Sequence, residues 1–115
     1  MLTTIRHVNG NADLITSVEE ADLFGSYAQG ADDLGDVDVA VVLKRRLPGD
    51  EWVKASQERA IMTGRRMSFI DALTWGEEEV WRALRAASRH LDVQEKADIV
   101  ALGCPMTPLF RVSTP

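Results

Sequence analysis

The run Asp36-Val37-Asp38-Val39-Ala40-Val41-Val42-Leu43 restricts the fold more than any other part of this chain. Its near-continuous apolar character predicts a strand covered on both faces, and therefore a central place in a sheet. Two carboxylates interrupt it at i and i+2, and the alternation of side chains along a strand sends Asp36 and Asp38 to the same side. Like charges set side by side on a buried strand repel each other and are costly to desolvate. A shared cation relieves both costs, and hard oxygen ligands point to Mg²⁺ or Mn²⁺.

A second feature precedes it. Leu23-Phe24-Gly25-Ser26-Tyr27-Ala28-Gln29-Gly30 places a Gly-Ser turn after a short apolar run. Glycine lets the backbone approach a ligand closely, and successive N–H groups in such a turn form an anion-binding concavity. The Ser26 hydroxyl adds a donor for a phosphate oxygen. A carboxylate pair for metal beside a phosphate cradle describes a site for phosphoryl or nucleotidyl transfer. The plainer alternative is a tight turn into a strand whose aspartates are solvated at its end.

The pattern of an apolar residue, Gly25-Ser26, a gap, then Asp36-Val37-Asp38-Val39 resembles the signature of the DNA polymerase β-like nucleotidyltransferase superfamily. The chain is most similar to its smallest members, the minimal nucleotidyltransferases, and the strong part of the match covers residues 23–43. The resemblance implies a polymerase β-like nucleotidyltransferase core and a nucleoside triphosphate substrate, ATP by default. It also implies two metal ions and transfer of a nucleoside monophosphate to a protein or RNA acceptor. Minimal nucleotidyltransferases are often the antitoxin partners of HEPN-domain ribonucleases, so a HEPN-type toxin is the implied partner. Nucleotide binding falls to Gly25, Ser26 and Gln29, although Gln29 stands where family members commonly carry a basic residue. The family also needs a third carboxylate on a later strand. Asp92, in Leu91-Asp92-Val93, has the apolar-acid-apolar form; Asp71, in Phe69-Ile70-Asp71-Ala72-Leu73, is the rival; or neither serves. With Asp92, the metal and catalytic set is Asp36, Asp38 and Asp92. Without a third acid, the chain is a degenerate module that binds a partner and performs no chemistry.

Composition agrees with a small domain. A chain of 115 residues, 45% of them hydrophobic, is expected to form a single domain over 1–115 with one core. A net charge of −5 argues against a broad nucleic-acid surface. The single cysteine, Cys104, excludes an internal disulfide and fits a reducing, cytoplasmic setting. No apolar run approaches bilayer length, and the N-terminus lacks the segments of a signal peptide. His7 and His90 have no spacing for zinc. A domain this small is expected to complete its acceptor site as a homo- or hetero-oligomer.

The remaining elements read as an α/β (α+β) fold, a small mixed sheet flanked by helices. Asn9-Gly10-Asn11 interrupts the first 18 residues, with a helix expected over about 12–16. Strands are expected over 20–24, 36–43 and 90–94, and an edge strand over 107–112, with a helical turn at 27–30. Asp50 is the expected N-cap of a helix running from Glu51 toward Arg66, and residues 67–73 are read as its continuation after Gly64. Trp75-Gly76 reads as a break. Glu77-Glu78-Glu79 then opens a helix with Val80, Trp81, Leu84 and Ala87 on its apolar face and a Glu78–Arg82 pair outside. A short helix is expected over 96–102. Trp81 is expected in the core and Trp52 in an exposed interface. Lys44-Arg45-Arg46 is read either as a contact for a triphosphate or RNA end or as a solvated loop, and Arg65-Arg66 as surface.

Overall fold

The computed structural model describes residues 2–24, 37–87 and 91–112. The element order is α1 (Leu2–Gly10), β1 (Thr16–Phe24), β2 (Val37–Arg45), α2 (Gly49–Met62), α3 (Phe69–Arg85), β3 (Leu91–Glu95), α4 (Lys96–Ala101) and β4 (Met106–Arg111). The four strands form one mixed sheet in the order β3-β2-β1-β4. β1 is antiparallel to both β2 and β4, whereas β3 runs parallel to β2. A parallel neighbour requires a crossover, and α2 with α3 supplies it. The expected central position of the Asp38–Leu43 run is therefore observed.

The two faces of β2 pack differently. Val39 and Val41 join Val18, Ala21 and Val93 under Ile5, Val8, Val80 and Leu84, which makes the main core between the sheet and helices α1 and α3. Ala40 faces the other way, where Phe24 and Ile99 bury it with Cys104 and Met106 at the margin. Among the described residues no helix is long and apolar enough to cross a membrane.

Several expectations need correction. The first helix spans Leu2–Gly10, not 12–16, because Ile5 and Val8 are its buried stripe. Asn9 then fastens it to β1: its amide donates to the Val18 carbonyl at 3.0 Å, and its oxygen accepts from the Val18 N–H at 2.8 Å. β1 starts at Thr16, four residues before the expected 20, because a bulge between Val18 and Glu20 breaks the period of two. Thr16, Val18 and Ala21 are all buried despite that irregular spacing. α2 ends at Met62, where Thr63 caps it and Gly64 adopts φ +69°, so residues 67–73 do not continue it. Its N-cap is Pro48, and Asp50 lies inside the first turn.

The helix α3 runs straight through Trp75-Gly76. Ser68 caps it by accepting from the Asp71 N–H at 3.1 Å. Inside the hairpin the buried Ser56 hydroxyl donates to the Ala72 carbonyl at 2.8 Å and accepts from the Gly76 N–H at 2.9 Å. A hydroxyl from α2 thus bridges a carbonyl and an N–H four residues apart on α3. Gly76 lets the helices approach: a Cβ there would lie 2.8 Å from Trp52 Cζ2 and 2.5 Å from Ile15 Cδ1. Trp52 is fully buried rather than exposed, with its indole N–H donating to Thr16 Oγ1 at 3.2 Å. Trp81 is half-buried against the main core, and the Glu78–Arg82 pair forms at 3.3 Å.

Candidate functional site

Of the expected site residues, Asp38 and Asp92 fall in the described structure. Gly25, Ser26, Gln29 and Asp36 lie outside it, as does the helical turn expected at 27–30. Asp38 stands near the start of β2 and Asp92 near the start of β3, and the parallel register pairs them directly. Residues in register on adjacent strands point to the same face, with backbones about 4.8 Å apart. The two carboxylates are therefore brought together on one side of the sheet. Asp38 is half-buried and Asp92 exposed. Gln94, two residues along the same face, donates from Nε2 to Asp92 Oδ1 at 2.9 Å and so orients that carboxylate. The antiparallel partner of Asp38 on β1 is Phe24, the residue immediately before Gly25.

Asp71 does not join this pair. It occupies the first turn of α3, exposed, with its backbone N–H held by the Ser68 cap. It has the place and partners of a helix-start residue. Two carboxylates in register on neighbouring strands are hard oxygen donors of the kind a divalent cation takes, but among the described residues no group of three or more potential ligands is assembled.

A charged cluster on the same face escaped the sequence reading. Asp22 precedes Phe24 by two residues and so shares its face, pairs with Ala40 on β2, and has a nearly inaccessible side chain. Lys96, the first residue of α4, places Nζ 2.8 Å from Asp22 Oδ2 and 3.2 Å from Glu20 Oε1. Arg111 on β4 pairs with Asp22 through Nη1 and with Glu20 through Nε at 2.9 Å. Burial pushes the Asp22 carboxyl up, but hydrogen bonds and charge from Arg111 and Lys96 together outweigh it and hold the group below its usual range. The same contacts raise Lys96 and Arg111. The cluster ties β4 and the start of α4 to β1, and α4 follows directly from the strand that carries Asp92. An acid at an inward position of an otherwise apolar strand end was the available signal.

The basic run 44–46 is spent largely on structure. Arg46 donates to the carbonyls of Val8, Asn9, Asn11 and Leu14 at 2.7–3.1 Å, closing the C-terminal end of α1. Arg45 lies 4.0 Å from the Trp52 ring centroid and pairs with Glu77 at 2.8 Å. Cys104 is half-buried at the edge of the smaller cluster, and His7 is exposed.

The chain matches no family model, no curated protein and no solved structure.

Proposed function

We propose that this chain is a metal-dependent nucleotidyltransferase of the minimal kind. It would move a nucleoside monophosphate, by default AMP from ATP, to a protein or RNA acceptor. The observation that supports this reading most is the direct pairing of Asp38 with Asp92, because it supplies the later-strand acid that the Gly-Ser and Asp-x-Asp pattern calls for. Asp36, Asp38 and Asp92 would hold Mg²⁺ or Mn²⁺. Bound there, the metal would screen the triphosphate and stabilise charge on the entering and leaving oxygens. The backbone N–H groups at Gly25 and Ser26 would receive phosphate oxygens, and Gln29 would add a neutral donor. Asp92, with one oxygen held by Gln94, would accept the proton of the attacking hydroxyl through the other. The acceptor best suited to the resemblance is a HEPN-type toxin protein, which would make this chain an antitoxin.

Transfer of label from ATP carrying it on the α-phosphate, in the presence of Mg²⁺, tests the proposal against co-expressed HEPN-type protein and against RNA. Wild type and Asp71→Asn are expected to label an acceptor, and Asp38→Asn and Asp92→Asn are not. Equal labelling by Asp92→Asn would overturn the assignment.

A further inference from the structure

The far end of the α2–α3 hairpin carries a surface that neither the core nor the carboxylate pair explains. Ile61 and Met62 close α2 and are 78% and 80% exposed; Phe69 and Ile70 open α3 and are each 70% exposed. These are among the most exposed large apolar side chains of the described residues. Isolated exposed apolar residues need no explanation, but four at one end of a hairpin do. Beside them lies a cleft of about 610 Å³ whose lining includes Arg65, Arg66, Ser68, Trp75 and Arg82. Trp75 is nearly buried in that lining, and its indole N–H has no acceptor.

Charge decides what fits. Arg45, Arg59, Arg82, Arg85, Lys96 and Arg111 each have a carboxylate partner, and Arg46 is consumed by backbone carbonyls. Among the described residues Arg65 and Arg66 have neither, as is true of Arg6, Lys44 and Lys54, but of these five only Arg65 and Arg66 lie in the connection between Met62 and Phe69, beside the apolar end of the hairpin. Two uncommitted guanidinium groups between apolar anchors call for carboxylates set among apolar side chains.

We propose that this end of the hairpin docks an acidic amphipathic segment of a partner protein. Its apolar residues would cover Met62, Phe69 and Ile70, and its carboxylates would meet Arg65 and Arg66. Nucleic acid fits less well: Phe69 offers a ring for stacking, but Ile61, Met62 and Ile70 are aliphatic, and a phosphate backbone would leave them uncovered where an amphipathic segment buries them. A second copy meeting the same surface about a twofold axis would bring the unpaired arginines of both copies toward one another. The surface lies at the opposite end of α3 from the one that leads into β3, roughly 25 Å along a helix of this length. It therefore does not rest on the nucleotide reading.

The test titrates the intact protein, followed by amide chemical shifts, with three probes: a Leu/Glu amphipathic 18-residue peptide, its Leu/Lys twin, and an oligoadenylate RNA. The Leu/Glu peptide is expected to shift residues 61–75 and to lose at least about tenfold in affinity in Arg65→Glu/Arg66→Glu. The Leu/Lys twin is expected to gain in that variant. Phe69→Ser/Ile70→Ser should bind neither peptide while keeping the wild-type fold. No binding of the Leu/Glu peptide, preference for the RNA, equal binding of the twins, or concentration-dependent shifts at 61–75 without any probe would each overturn the proposal.

Discussion

Gly76→Ala sets two effects of opposite sign against each other within one residue. In an exposed helix interior, alanine is favoured over glycine by about 1 kcal/mol. Here the added Cβ would sit 2.8 Å from Trp52 Cζ2 and 2.5 Å from Ile15 Cδ1. Ile15 can yield, since its clash is with the flexible end of a side chain. Trp52 cannot yield easily: it is fully buried, its indole N–H is bonded to Thr16 Oγ1, and the Arg45 guanidinium covers its ring. Overpacking of this kind costs about 1–3 kcal/mol. The Ser56 hydroxyl, bonded to both Ala72 and Gly76, also resists separation of the two helices. The expected net result is a loss of about 1–2 kcal/mol, which lowers the urea midpoint by roughly 0.5–1 M with an unchanged slope. Gly49→Ala is the control, because nothing lies within 4 Å of its would-be Cβ; its change should stay within about 0.5 kcal/mol. A Gly76→Ala protein as stable as wild type would refute the packing argument, and with it the account of why Trp75-Gly76 does not break α3.

Other consequences follow from the charged clusters. Asp22→Asn removes the carboxylate that Lys96 and Arg111 share and should cost roughly 1–3 kcal/mol in urea unfolding. Its folded pKa lies below its unfolded value, so Asp22 contributes stability above about pH 4 that is lost as pH falls through the folded value. The gap between wild type and Asp22→Asn should therefore narrow on acidification; a gap constant from pH 7 to pH 3 would contradict the pairing. Arg46→Ala should cost about 2 kcal/mol and speed amide exchange in α1, because four backbone carbonyls lose their donor. Arg46→Lys should recover less than half of that, since an ammonium cannot reproduce the planar fork.

The legibility of this chain follows the range of the forces involved. β2, β3, α4 and β4 are readable because apolar runs and turn residues fix them locally. α3 is misread at Trp75-Gly76 because the group that carries the helix through, the Ser56 hydroxyl, comes from another element. β1 is misread at its start because a bulge moves Ala21 to an inward position that strict alternation denies it. Asp92 is legible as an acid within a strand, but its alignment with Asp38 depends on the parallel register of β3 against β2, which no local pattern encodes. Asp22 was passed over for the same reason, as both of its cations arrive from later elements.

Titration calorimetry of ATP with Mg²⁺ into the purified protein bears most directly on the proposed nucleotide site. The account predicts metal-dependent binding by wild type and Asp71→Asn that disappears in Asp38→Asn and in Asp92→Asn, each variant retaining the wild-type fold. Binding that survives in Asp92→Asn, or no binding by the folded wild type, would contradict it.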